Sequence, residues 1–90
     1  MLNNIEIKTF EDIFALKSGI TDIYRKEDVF YISSETDSIR LISTYNTTLN
    51  YFNKNHFVLN DYKIKTGIHF DKKGNYFYIN SKNQLIIKPI

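Results

Sequence analysis

The sequence predicts a small α+β domain: an antiparallel β-sheet with one or two helices packed on one face, in the order β-α-β-β-α-β-β-β. Three observations predict it. The chain after Phe57 alternates apolar and polar residues between clear turn signals. Residues 9–19 set apolar side chains at helical spacing between a capping residue and a glycine. The length, 90 residues with 42% hydrophobic and 24% charged, suits one folded domain spanning 1–90.

Ile5–Lys8 reads as a short strand. Thr9 then suits an N-cap, and Glu11 and Asp12 lie in the first turn, where the helix dipole favours negative charge. Phe10, Ile13, Phe14 and Lys17 follow at helical spacing, and Gly19 suits the C′ position, so a helix is expected over about 10–18. Ile20–Tyr24 and Val29–Ser33 are rich in β-branched and aromatic residues. They flank Arg25-Lys26-Glu27-Asp28 and read as a hairpin.

Residues 37–54 admit two readings. Ile39, Ile42, Tyr45, Leu49 and Phe52 share a helical stripe, with Thr36 or Asp37 as cap. Ile39–Thr44 also alternates, and threonines are poor helix residues. The helix is preferred because the stripe continues to Phe52 without a breaker.

In the last third, Tyr62–Phe70 alternates as a strand. Asp71-Lys72-Lys73-Gly74 reads as a four-residue loop, Asn75–Ile79 as the return strand, Asn80–Asn83 as a second turn and Gln84–Lys88 as a third strand. That loop sets Phe70 opposite Asn75, His69 opposite Tyr76 and Ile68 opposite Phe77. One face then holds Ile64, Ile68, Phe70, Phe77 and Ile79 as core. The other presents Lys63, Lys65, His69, Tyr76 and Tyr78 to water.

Composition excludes several classes. With no cysteine there is no disulfide scaffold, cysteine-bound zinc site, redox pair or thiol nucleophile. The N-terminal residues lack the apolar core of a secretion signal, and no stretch has the roughly 20 apolar residues of a membrane helix, so a cytoplasmic protein away from membranes is expected. Ile, Asn, Lys, Tyr and Phe make up 48 of the 90 residues, whereas Ala and Pro occur once each. That bias points to an AT-rich genome, such as a low-GC bacterium, its phages or its plasmids.

The residue patterns of common catalytic and metal chemistry are missing. His56 and His69 do not form a metal-binding pair, so no metal is expected. Three isolated glycines build no phosphate loop, no cofactor is implied, and Ser33, Ser34 and Ser81 lack a nucleophile-elbow context. Glu6-Ile7-Lys8 resembles the tail of a nuclease-type metal site, but no strand-borne Asp precedes it. Catalysis is therefore not expected.

Charge is the feature with functional content. Residues 1–45 hold five Lys/Arg against eight Asp/Glu, net −3; residues 46–90 hold seven Lys against Asp61 and Asp71, net +5. The expected binding face comprises Lys63, Lys65, His69, Lys72, Lys73, Tyr76 and Tyr78. The leading expectation is a non-catalytic protein-binding module, such as a small phage- or mobile-element-encoded inhibitor of a host enzyme, for instance a defence nuclease. The same Lys/Tyr face also suits nucleic acid, with lysines on phosphates and tyrosines stacked on bases. A third expectation is a self-assembling subunit, a homo-oligomer paired through the last strand with its consecutive Leu85, Ile86 and Ile87. The plain alternative is a solvated sheet face whose lysines only guard against aggregation.

Overall fold

A computed structural model describes residues 4–9, 19–35, 39–60 and 64–90. Among them there is no helix. The seven strands are β1 (Ile20–Lys26), β2 (Val29–Glu35), β3 (Ile39–Asn46), β4 (Tyr51–Asn60), β5 (His69–Phe70), β6 (Asn75–Ile79) and β7 (Leu85–Pro89). They form two antiparallel sheets, β1-β2-β3-β4 and β5-β6-β7. The expected α+β class is thereby corrected to all-β, two sheets face to face. The helix expected over 10–18 lies outside the described residues. Ile5–Lys8 is not a strand: residues 4–9 are irregular and exposed.

The first hairpin forms where the β-branched runs predicted it. Lys26 lies opposite Val29, and Glu27 carries the turn at φ 54. Residues 37–54 are the main local correction. Ile39–Asn46 is a strand that turns at Thr47–Asn50 into β4. Consecutive Leu41, Ile42 and Ser43 are 2%, 3% and 0% exposed, so this central strand is buried on both faces. A strand buried on both faces need not alternate strictly, and its apolar residues, with Leu49 and Phe52 beyond it, also fit a helical stripe. The turn is made by asparagine. Asn46 Oδ1 accepts the Leu49 amide at 2.9 Å, Asn50 adopts φ 50, and the Tyr45 hydroxyl donates to Asn50 Oδ1 at 2.6 Å. Beyond it the ladder bulges. Ile42 lies opposite Phe57 but Thr44 opposite Asn53, and the Ser43 hydroxyl donates to the Lys54 carbonyl at 2.6 Å.

The core lies between the sheets. Ile42 meets Ile64, Ile68, Tyr76 and Tyr78, with Tyr31, Phe57, Leu59, Phe70 and Ile86 packed around them. Rings continue across the join, with Phe57 5.5 Å from Tyr76 and Tyr24 6.0 Å from Phe70. Polar bonds stitch the sheets together. The Ser33 hydroxyl donates to the Ile68 carbonyl at 2.7 Å, and Asp22 Oδ2 accepts the Phe70 amide at 2.8 Å. Arg40 Nε pairs with Glu35 at 3.0 Å and donates to the Thr66 carbonyl at 3.4 Å. Gly67 gives close approach at this seam: an added Cβ would come within 2.8 Å of Thr21 Cγ2, so the Thr21 side chain would have to shift.

Ser33→Ala removes the hydroxyl shared by the Ile68 and Asp22 carbonyls. The expected cost is about 1–3 kcal/mol, the range for a buried hydrogen-bonding group left without its partner. Thermal unfolding followed by circular dichroism checks it, with exposed Ser81→Ala expected to stay within about 0.5 kcal/mol of the parent.

Candidate functional site

The position of every side chain in the second sheet follows from one turn. Asp71 N–H donates to the Asn75 carbonyl at 3.0 Å, so the connection is Lys72-Lys73-Gly74, three residues and not four. Gly74 takes φ 85, the left-handed residue that closes such a loop. The Asp71 carboxylate holds the turn from inside. Its Oδ1 accepts the Lys73 amide at 2.8 Å and the Asn75 amide at 3.0 Å, and its Oδ2 accepts the Asn75 side-chain amide at 3.0 Å. These bonds, the Asn75 amide foremost, hold the Asp71 carboxyl below its ordinary range. The stabilisation is complete above that ordinary range and is lost as pH falls through the lowered value.

The shorter loop slips the register by one residue. Phe70 lies opposite Tyr76 and His69 opposite Phe77, not Asn75 and Tyr76 as expected. In a strand that slip exchanges the two faces. Tyr76 and Tyr78 therefore point into the core, 7% and 9% exposed, and are removed from the expected water-facing set. Their rings lie nearly parallel with centroids 6.5 Å apart. Phe77, expected in the core, takes the outward place and stacks on His69 at 5.9 Å.

The other expected residues fall around this outward face. Lys65, Lys72 and Lys73 are exposed, and Lys65 Nζ donates to Asn83 Oδ1 at 2.6 Å. The His69 imidazole is half exposed, with Nδ1 3.9 Å from Asp22 Oδ2, an ion pair only when the ring is protonated. Lys63 lies outside the described residues. Ile79, Leu85 and Ile87, also absent from the expected site, complete it. Leu85 lies opposite Ile79 and Ile87 opposite Phe77, and they are 56% and 57% exposed.

The result is an apolar strip of Phe77, Ile79, Leu85 and Ile87 edged by His69. Lys72 and Lys73 stand in the turn at one end, and Lys82 in the turn at the other, near Lys65. Residues 64–90 hold five lysines and a single carboxylate, Asp71. The sequence alone did not decide which way Phe77 points. Asp71 and Asn75 bracket a Gly74 that fits a three-residue loop as well as a four-residue one.

A second concavity lies on the far face of the first sheet. It is a cleft of about 320 Å³ lined by Ile23, Phe30, Ile32, Tyr45 and Thr47, with Glu6 and Lys8 from the N-terminal segment. The Lys8 ammonium stands 5.8 Å from the centre of the Tyr45 ring. Among the described residues its exposed lining is mostly apolar, with Glu6, Lys8 and Thr47 as polar groups. No group of three or more His, Cys, Asp or Glu side chains able to hold a metal occurs among the described residues.

Burial, and secondarily its neighbour Tyr78, raises the Tyr76 phenol above the ordinary tyrosine value of 10.0. The folded state then resists an ionisation that the unfolded chain undergoes. Stability is complete below the ordinary tyrosine range and falls as pH rises above it. Tyr76→Phe removes that group, so between about pH 8 and pH 11 its urea midpoint is expected to fall less steeply than the parent's. The chain matches no protein-family model, no curated protein and no solved structure.

Proposed function

We propose that the chain is a non-catalytic protein-binding module that docks through the outer face of β5-β6-β7. One observation carries this reading: Leu85 and Ile87, more than half exposed, continue the apolar strip begun by the stacked His69–Phe77 pair. In a chain with so small a core, leaving such groups in water forgoes burial worth about 1.5–3 kcal/mol for each fully covered side chain. A partner that covers the strip recovers it. The lysines at both ends select a partner whose contact surface is apolar at its centre and acidic at its rim. The absence of cysteine supports a cytoplasmic setting. Among the described residues no helix is long and apolar enough to cross a membrane.

Binding of single-stranded nucleic acid is the second reading, favoured by the stacked His69–Phe77 pair beside Lys72 and Lys73. The buried tyrosines weaken it, since they remove two of the rings a base-stacking platform would use.

Immobilised chain is expected to retain one protein in stoichiometric amount from a lysate of its source cells. Ile87→Lys, which places an ammonium in the middle of the strip, is expected to weaken that retention by at least about tenfold, the scale of a central interface residue. Retention unchanged by Ile87→Lys sinks the assignment. Affinity for a labelled single-stranded oligonucleotide that drops steeply above about 50 mM salt transfers the face to the second reading.

A further inference from the structure

We infer that β7 accepts an extended segment of the protein partner as a fourth strand of the second sheet, and that this segment is apolar at its centre and acidic at its ends. The inference rests on the docking face proposed above and adds how the partner is held. β7 ends the order β5-β6-β7, and among the described residues no strand pairs with its outer edge.

The ladder decides which backbone groups face that edge. Asn80 N–H donates to the Gln84 carbonyl and Ile90 N–H to the Gly74 carbonyl, each at 3.0 Å. Hydrogen-bonded pairs alternate along an antiparallel ladder, so residues 84, 86, 88 and 90 turn their amides and carbonyls toward β6. Leu85 and Ile87 turn theirs to the open edge. The same two residues expose their side chains on the outer face. One incoming strand can therefore take backbone bonds and apolar contact from Leu85 and Ile87 together. Pro89 has no N–H to offer, so the open ladder stops after them. Natural edges are usually blunted by charge, proline or a bulge. In β7 those guards, Lys88 and Pro89, stand only at the C-terminal end and leave Leu85-Ile86-Ile87 open.

Charge selects the occupant. Lys82 precedes the open segment and Lys88 follows it, while Lys72 and Lys73 lie in the β5-β6 turn and Lys65 before β5. The one carboxylate of residues 64–90, on Asp71, is engaged by the Lys73 and Asn75 amides. A second copy paired through its own β7 would set lysine-rich sheets side by side, which like charges oppose. A strand with carboxylates at both ends meets ammonium groups instead.

The test uses the full ¹³C,¹⁵N-labelled chain and a capped peptide, Glu-Glu-Val-Thr-Val-Thr-Val-Glu-Glu, as probe. At peptide concentrations up to about 2 mM, the Leu85 and Ile87 amides are expected to exchange with deuterium at least about tenfold more slowly, and their methyl signals to shift. A peptide with its central Val N-methylated, and one with Lys in place of Glu, are each expected to bind at least about tenfold more weakly. Ile87→Pro is expected to lose binding that Ile87→Ala keeps in part, because only proline removes the edge-facing N–H. Methyl shifts without amide protection would overturn strand addition and leave the docking face standing. Neither effect up to about 2 mM would overturn both. Equal binding of the lysine-ended peptide would overturn the acidic partner. Amide protection that grows with protein concentration in the absence of peptide would assign the edge to a second copy.

Discussion

The fold depends on the seam where the edge of one sheet meets the start of the other. Ser33 on β2 and Asp22 on β1 reach across to the backbone of Ile68 and Phe70. These bonds satisfy peptide groups in a two-residue strand that has few ladder bonds of its own. They also fix the facing of β5, with Ile68 and Phe70 inward and His69 outward. Once β5 is set, the loop Lys72-Lys73-Gly74 sets β6, and β6 sets β7. Gly67 belongs to the same constraint, since a side chain there would collide with Thr21.

Charge is distributed unevenly between the two sheets. The described part of the first sheet and its turns is balanced, with Asp22, Glu27, Asp28 and Glu35 against Arg25, Lys26, Arg40 and Lys54, while residues 64–90 hold five lysines against Asp71. Asp22 and Glu35 have structural duties at or beside the join, accepting the Phe70 amide and pairing with Arg40. The lysines of residues 64–90 form no ion pair among the described residues; the contact of Lys65 is to a neutral amide. Acidic groups are thus partly consumed in holding the sheets together, and basic groups remain available at the surface. That difference is what gives the outer face of β5-β6-β7 its proposed partner chemistry.

Much of the β architecture was legible. The first hairpin, β6 and the turn at 80–83 follow from β-branched runs set between charged or asparagine-rich turns. Two errors had physical causes. The strand Ile39–Asn46 is buried on both faces, so its alternation over Ile39–Thr44 is no clearer than the helical stripe that its apolar residues share with Leu49 and Phe52. At Asp71–Asn75 the composition fits loops of two lengths, and the difference of one residue inverts a whole strand. Of the expected site, Lys65, His69, Lys72 and Lys73 remain at the surface, and Tyr76 and Tyr78 do not. Phe77, Leu85 and Ile87 replace them, which changes a cationic and phenolic face into a cationic and apolar one.

By itself the sequence determined part of the local structure, namely the first hairpin, β6 and the turn at 80–83, together with how charge divides along the chain and which chemistry cysteine-free composition excludes. These are properties of neighbouring residues and of counts. Tertiary structure decided parity and burial: which side of each strand meets the other sheet, and which edge is left open. Parity depends on hydrogen bonds between residues as far apart as Asp22 and Phe70, and on a loop whose length is chosen by the register it must close. No local pattern encodes that choice, because both registers satisfy the same alternation until the second sheet has to pack.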